Sequence, residues 1–533
     1  MIDSAKPIQA VKEAPHHLDE SVLDVADFNE RVITAYERGV AELELEADRD
    51  LSRSLIPAGT GVMRDFSYIA PEIPEFIPEN CVACMECVVE CPDTAILGKV
   101  VKNPALEAEL NGIADPDYRA HVAKQFTKTQ KFHVTYEKQK KEPGLFGIFI
   151  DPTKCKGCAE CVEVCGSHAA LKMVKKTDEN LETYRKDWQV YKKLPDTPME
   201  YVNERIVSDL MLVEKALLYV GGAGSCAGCG EATALRMMLA ATAFQAGKEN
   251  IGLVASTGCN TVYTSTYPYN PYLVPWTNSL FENGPADAMG VRARWNQKGW
   301  KNKRLWVIGG DGAMNDIGFQ SLSRMLASGM DIKVLVLDTQ VYSNTGGQAS
   351  TSTYTGQETK MSAHGKAQGG KTERRKELAT ICMMHPETLV AQTTCAHINH
   401  FYKAVMAANE FDGPAVINVY TTCQPEHGVA DNMAGHQAKL AVESRAFPLI
   451  MYDPRKGERM KERLSLAGNP AMKDDWYLNP KTKEPVDFTY FARTEGRFAK
   501  HFDKEGNPSE TLLASQADRL KNWHMLQELA GLR

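Results

Sequence analysis

Four short runs of unbroken apolar residues mark the second half of the chain: NIGLVAST (250–257), KRLWVIGG (303–310), DIKVLVLDT (331–339) and GPAVINVYT (413–421). None alternates apolar with polar positions, and each ends in glycine, small or polar residues. Continuous Val-, Ile- and Leu-rich strands separated by helical stretches predict an α/β fold whose parallel sheet is covered on both faces. Ligands of such sheets bind beyond the carboxyl ends of the strands. The first part of the chain reads differently. Over 24–47, Val25, Phe28, Val32, Tyr36, Val40 and Leu43 recur at helical spacing and predict a packing helix or docking arm. Around 119–141 lies a basic insert, with Arg119, Lys124, Lys128, Lys131, Lys138, Lys140 and Lys141 against Glu137 alone. Lys124, Lys128 and Lys131 fall on one face of a helix over this insert, as a solvated surface or a docking patch for an acidic electron carrier.

Composition narrows the class. The 533 residues are 43% apolar and 24% charged, with a net charge of −7. That balance gives no reason to expect nucleic-acid binding. No run approaches the ~18 apolar residues of a membrane helix, and the start, MIDSAKPIQAVKE, lacks the apolar core of a signal peptide. Fourteen cysteines without a secretory signal point to metal or redox use in a reducing, cytoplasmic compartment rather than to disulfides.

Eight of those cysteines form two runs, CVACMECVVECP (Cys81, Cys84, Cys87, Cys91) and CKGCAECVEVCG (Cys155, Cys158, Cys161, Cys165). Each reads C-x2-C-x2-C-x3-C, the spacing that holds two [4Fe–4S] clusters, the fourth cysteine of each run ligating the other cluster. One cluster therefore takes Cys81, Cys84, Cys87 and Cys165, and the other Cys155, Cys158, Cys161 and Cys91. Two zinc sites are the alternative, but zinc motifs rarely repeat this three-then-one spacing. Gly166 stands where a proline commonly follows, which loosens the turn and spares every ligand. A further pair, Cys226 and Cys229 in GSCAGCGE, lacks two ligands. Cys382 in KELATICMMH reads as a buried apolar cysteine. Cys259, Cys395 and Cys423 all follow strand-like runs, and spacing alone does not choose among them.

Strand KRLWVIGG runs into Gly310-Asp311-Gly312-Ala313, and KVLVLDT into Thr339-Gln340-Val341-Tyr342-Ser343-Asn344. The glycines allow close approach of a bound group, and Asp311 and Thr339 offer oxygens to a hard cation. Magnesium suits a few protein oxygens plus substrate phosphates, so the two strand ends read as a diphosphate–Mg²⁺ site.

This GDG with its downstream Asn is similar to the thiamine diphosphate signature. Together with DTQVYSNTGGQ and GSCAGCGE, it resembles the pyruvate:ferredoxin (flavodoxin) oxidoreductase family from about Pro71 to Phe502, including the tail AVESRAFPLIMYDP. The resemblance implies an arm or linker over 1–70, a ferredoxin-like α+β domain with two clusters over 71–195, a thiamine diphosphate-binding domain with a third [4Fe–4S] cluster over 196–440, and an extension over 441–533. It implies Cys226, Cys229, Cys259 and Cys423 as third-cluster ligands, from TGC and TTCQPEHG, with Cys395 in reserve. It further implies Mg²⁺ on Asp311, Thr339 and the Val341 carbonyl. Gly310, Gly312, Ala313 and the loop of Thr339, Gln340, Val341, Tyr342, Ser343 and Asn344 should line the diphosphate. Glu231 and Cys259 should touch the cofactor, and Asn344 should face the reacting carbon; a plain helix-start carboxylate is the alternative for Glu231. The implied activity converts pyruvate and coenzyme A to acetyl-CoA and CO2 while reducing ferredoxin or flavodoxin, with 2-oxoglutarate and branched-chain acids open as substrates. The family's remaining domains, which bind the pyrimidine ring, substrate and coenzyme A, would come from a second subunit in a dimer of heterodimers, leaving this chain inactive alone. A non-redox thiamine enzyme would not need twelve such cysteines, and an electron-transfer subunit without thiamine chemistry would not need intact GDG and YSNTGG loops.

Overall fold

The computed structural model describes residues 25–46, 56–365, 368–385 and 387–533. The opening segment read for a signal peptide, the two ends of the 24–47 stretch and part of the 1–70 arm lie outside them.

An eight-stranded sheet organises the second half. Its strands are β6 (Ile251–Ser256), β7 (Trp276–Ser279), β8 (Arg304–Gly310), β9 (Lys333–Asp338), β10 (Leu389–Thr394), β11 (Ala415–Tyr420), β12 (Ile450–Tyr452) and β13 (Leu464–Ser465), in the spatial order β13-β12-β10-β11-β9-β8-β6-β7. The six strands from β10 to β7 are parallel, and β12 and β13 close one edge antiparallel. All four apolar runs of the sequence are central strands here. Their side chains alternate between two cores: Trp306 and Ile308 of β8 face one, Leu305 and Val307 the other. Burial on both faces is why the runs are apolar throughout. The register sets Gly310 beside Leu337 and Asp338 beside Tyr420, so the carboxyl ends of β8, β9 and β11 lie level. β12 and β13 belong to the sheet although they fall in the 441–533 extension.

The helix Gly230–Ala246 is buried on every side from Gly230 to Ala243 and packs between the sheet and the cysteine-rich unit. In that unit β1 (Glu72–Phe76) pairs antiparallel with β5 (Leu171–Lys175), while β2 (Ile96–Lys102) pairs with β4 (Gly144–Ile150), whose other edge takes β3 (Phe126–Thr127). One continuous hydrophobic core runs from Ile73 of this unit through the sheet to Leu512.

Two helical expectations change. The stretch 25–37 is helical, but Phe28–Ile33 is wound as a π-helix and Gly39, at φ +69°, ends the run before a short turn at Ala41–Glu44. The wider turn shifts the register. Phe28, Val32, Ile33 and Ala35 are therefore the buried set, and Val25, Tyr36 and Leu43 are exposed. The basic insert is not one helix either. Pro116–Lys124 ends, Phe126 and Thr127 join β4, and Thr129 caps a new helix by accepting from Phe132 N at 3.2 Å. Lys124, Lys128 and Lys131 therefore share no face, and Lys131 turns inward to pair with Asp209.

Candidate functional site

Both cysteine runs adopt one loop. The backbone is left-handed at the second and fourth residues after the first cysteine: Ala83 (+60°) and Met85 (+69°) in one, Gly157 (+69°) and Ala159 (+64°) in the other. Non-glycine residues hold this region at a cost, and such strain collects at binding sites. The fold carries the last cysteine of each run to the opposite loop. Cys165 shares a small apolar pocket with Cys81, Cys84 and Cys87. Cys91 is the strongest charged neighbour of Cys158. Backbone N–H groups of Ala83, Ala95 and Ala170 donate to the sulfurs of Cys81, Cys91 and Cys165 at 3.4, 3.4 and 3.3 Å. Burial pushes Cys81 up to about 11 and Cys155 to about 12. Thiols so crowded become thiolates only around a strongly cationic group, and an all-thiolate donor set with N–H···S bonds fits iron–sulfur clusters.

Four other cysteines meet at the carboxyl edge of the sheet. Cys226, Cys229, Cys259 and Cys423 line one cavity of about 230 Å³. Cys229 precedes the Gly230–Ala246 helix, Cys259 follows β6, and Cys423 follows β11. Gly228 gives this third C-x-x-C loop the same left-handed second residue, at φ +67°. Its carbonyl accepts from Gln424 Nε2. Cys395 does not reach this cavity; it is buried at the end of β10, with Glu90 and Glu160 as its charged neighbours. Cys382 is buried in the other core. The distance in sequence between the partners explains why spacing left the choice open.

Glu231, Cys259, Thr339, Ser343 and Asn344 are shared with an adjoining cavity lined by Gly310, Asp311, Gly312, Ala313, Val341 and Tyr342. Asp311 Oδ1 accepts from Thr339 N and Oγ1, both at 3.2 Å, and Thr339 Oγ1 donates to Val341 O at 3.1 Å. Adjacent ligands of octahedral magnesium, each ~2.1 Å from the ion, lie ~3 Å apart. The Asp311, Thr339 and Val341 oxygens have that spacing. Burial raises Asp311 to about 8, and Asp338 adds to the rise; a buried carboxylate of this kind is suited to a cation. Asp311 is the carboxylate in contact with Thr339 in this cavity, and Glu231 stands in its wall. Glu231 is buried with Oε2 unpartnered, and burial raises it to about 8. An unpartnered buried carboxyl lining both cavities is not an ordinary solvated helix-start acid.

One loop residue differs from the expected lining. Gln340, left-handed at φ +58°, turns its side chain away from the cavity, bonding Asp338 and accepting from Arg497 Nη2 at 3.0 Å. Gly312 is required by packing: a Cβ there would stand 2.3 Å from the Tyr342 ring. At Gly310, by contrast, a Cβ would meet only the Leu337 carbonyl oxygen, at an ordinary 3.8 Å.

A buried polar shell that sequence reasoning missed supports the loop. Ser350 Oγ donates to Asp311 Oδ2 at 2.5 Å, and Arg375 pairs with Asp338 at 2.6 Å. His427 Nε2 lies 2.8 Å from the Thr339 carbonyl, while Glu495 binds Arg497 at 2.6 Å and accepts from Tyr420 at 2.9 Å. The only signal was the density of Ser and Thr after Asn344; Glu495 and Arg497 lie too far along the chain to be paired by pattern.

Residues 256–419 match the family described as thiamine pyrophosphate enzyme, C-terminal TPP binding domain. Over 98% of its length the chain is 27% identical to the "Probable pyruvate-flavodoxin oxidoreductase" of Escherichia coli (strain K12), covering 47% of that protein. It is also 27% identical, over 86% of its length, to the pyruvate:ferredoxin oxidoreductase of Moorella thermoacetica, covering 42% of that protein. The chain thus spans about half the length of the curated relatives it matches. Among solved structures, a 2-oxoglutarate:ferredoxin oxidoreductase from Magnetococcus marinus aligns at 20% identity over 38% of this chain and 64% of that one, with a TM-score of 0.33, too low to bear on the reading. The sheet that carries the two cavities thus matches a thiamine-binding domain, and along most of its length the chain is similar to pyruvate-flavodoxin and pyruvate:ferredoxin oxidoreductases.

Proposed function

We propose that the chain is the thiamine- and cluster-bearing subunit of a 2-oxoacid:ferredoxin oxidoreductase. Pyruvate, coenzyme A and two oxidised one-electron carriers give acetyl-CoA, CO2, a proton and two reduced carriers, and the reaction is reversible. The observation that carries this is the pair of adjoining cavities, one lined by the Asp311–Thr339–Val341 oxygens and one by four cysteines, with Glu231 and Cys259 in both walls. A carbon site without electron transfer needs no thiolate quartet beside it.

Thiamine diphosphate bound in the first cavity supplies a carbon nucleophile and electron sink toward 2-oxo acids. Asp311, Thr339 and the Val341 carbonyl would hold its magnesium, and Gly310, Gly312 and Ala313 would line its diphosphate. Ser350 and His427 orient Asp311 and Thr339 through the bonds described above. Glu231 keeps its proton to about pH 8 and presents it to the cavity. Asn344 stands exposed at the mouth, facing where substrate enters. The cysteine-rich unit reads as a ferredoxin-like domain with two [4Fe–4S] clusters. Lys156, between Cys155 and Cys158, donates to Ser225 O at 2.8 Å and so joins the second cysteine loop to the third.

The domains that make up the other half of the relatives we assign to a second subunit, which would bring the pyrimidine-ring carboxylate and the substrate and coenzyme A sites. Ferredoxin or flavodoxin is the proposed carrier. Lys138, Lys140 and Lys141, exposed close together at the end of the basic insert, are the candidates to dock it, with Arg119, Lys124 and Lys128 exposed elsewhere on the insert. Reversing the charges of Lys138, Lys140 and Lys141 should slow reduction of the protein carrier in a salt-dependent way and leave an artificial acceptor untouched; equal losses with both would end that idea.

The deciding experiment is iron and thiamine analysis of the anaerobically purified chain, co-expressed with its partner. About twelve irons and about one thiamine diphosphate per chain are expected. About eight irons with thiamine retained would break the assignment of Cys226, Cys229, Cys259 and Cys423.

A further inference from the structure

Arg236 is a buried cation with a spare donor in the cysteine-rich unit's interface with the sheet. It projects from the Gly230–Ala246 helix and is 2% exposed. Nε donates to Thr94 Oγ1 and Nη1 to Val89 O, each at 3.0 Å. Those two residues bracket Cys91, and Cys91, Glu90 and Asp93 are attractive neighbours of Arg236. Nη2 is buried and has no partner. A buried guanidinium N–H left unpaired is costly and calls for an acceptor of its own. Lys156 lies on the same quartet, but its charge is taken up by Asp93 at 2.7 Å, with both side chains under 5% exposed. Among the described residues no lysine or arginine lines the pocket of Cys81, Cys84, Cys87 and Cys165, whose walls include Phe76, Phe146, Ile148 and His168.

We infer that Arg236 is the residue that sets the potential of the group held by Cys91, Cys155, Cys158 and Cys161, donating Nη2–H to its sulfur and raising its potential above that of the outer group held by Cys81, Cys84, Cys87 and Cys165. Reduction of a cluster adds one negative charge and moves no atom, so a nearby buried cation and an N–H···S bond both favour the reduced form. The group beside Arg236 then becomes the place where an electron leaving the cavity of Cys226, Cys229, Cys259 and Cys423 comes to rest before it moves outward. Arg236 acts on the potential of that group and touches neither substrate nor thiamine.

This inference rests on the cluster content proposed above, and the test separates the two. The anaerobic complex of both subunits is titrated with dithionite and followed by electron paramagnetic resonance, for wild type, Arg236→Met and Arg236→Lys, each after iron analysis. Arg236→Met should lower one reduction step by at least tenfold in the reduced-to-oxidised ratio, about 59 mV for one electron. Arg236→Lys should recover at least half of that, and the other steps should stay. Wild type with fewer than about twelve irons fails the cluster content itself. Full iron with no step moved, all steps moved together, or Arg236→Lys no better than Arg236→Met overturns the role of Arg236. Should Arg236→Met not fold, the wild-type complex grown with guanidino-¹⁵N arginine decides. A nitrogen coupling to one reduced cluster in pulsed resonance supports the role, and its absence overturns it.

Discussion

Gly228→Ala isolates the third cysteine loop from the rest of the molecule. Gly228 sits at φ +67°, and a Cβ built on it lies 1.8 Å from the Asp431 carbonyl oxygen and 3.1 Å from Gln424 Nε2. The left-handed backbone alone costs an alanine about 1–2 kcal/mol. The overlap is the larger effect. A carbon and a carbonyl oxygen rest at roughly 3.4 Å or more, so one backbone must yield by about 1.5 Å. Metal–ligand distances tolerate about 0.2 Å, and Cys226 and Cys229 flank the glycine directly. The loop cannot shift this far and keep both sulfurs on one cluster. Iron should fall from about twelve to about eight per chain, with the paramagnetic signal of one cluster lost. Gly290→Ala is the control: it lies inside the helix Gly284–Gln297, nothing lies within 4 Å of its Cβ, and iron should remain complete. Far-ultraviolet circular dichroism and the surviving irons distinguish loss of one cluster from loss of the fold. Gly228→Ala protein with full iron and every signal intact would refute both the quartet and the packing estimate.

Three further outcomes follow from the site. Asp311→Asn should weaken magnesium-dependent thiamine diphosphate binding by at least about a hundredfold in calorimetry, the upper end of what losing even an outer partner costs a metal site. The same change should raise the melting temperature of cofactor-free protein, because a buried carboxylate is removed; unchanged affinity would clear Asp311 of the metal. Arg497→Met strands Glu495, which is fully buried, and should cost about 3–5 kcal/mol in denaturant unfolding while loosening Gln340. Adding Glu495→Gln should return part of that loss, and strict additivity would show that the pair is not coupled. Glu231 has a raised value in the folded protein, so its contribution to stability is whole below the ordinary carboxylate range and is lost as pH rises through about 8. Glu231→Gln should therefore flatten the fall in melting temperature of cofactor-free protein between about pH 5 and 8; an unchanged slope would place the charge elsewhere.

What the sequence shows plainly here is what depends on local pattern. β6, β8, β9 and β11 stand where apolar runs place them because strands buried on both faces leave a continuous signature. The two cysteine runs, each compressed into eleven residues, expose their logic the same way. Pattern fails where a turn or a distant residue decides. Gly39 and the π-turn at Phe28–Ile33 break a spacing that looked helical, and Thr129 restarts a helix inside the basic insert. Ser350 on Asp311, Arg375 on Asp338 and Arg497 on Gln340 are contacts across 39, 37 and 157 residues, with no period to betray them. Gln340 itself sits inside the recognised loop, yet its left-handed backbone turns the side chain from ligand to scaffold.

The uninterrupted core between the cysteine-rich unit and the sheet bears on how the protein matures. Val88 and Val89, from the first cysteine run, pack into the same interior as the helix Gly230–Ala246 and the strands beneath it. A chain short of iron therefore has no finished thiamine half to fall back on: the crowded thiols stay inside the interior that the sheet must close over. On the cluster content proposed above, iron supply would act as a checkpoint on the accumulation of the whole polypeptide, and cells starved of iron should clear the chain rather than store a form that binds thiamine alone.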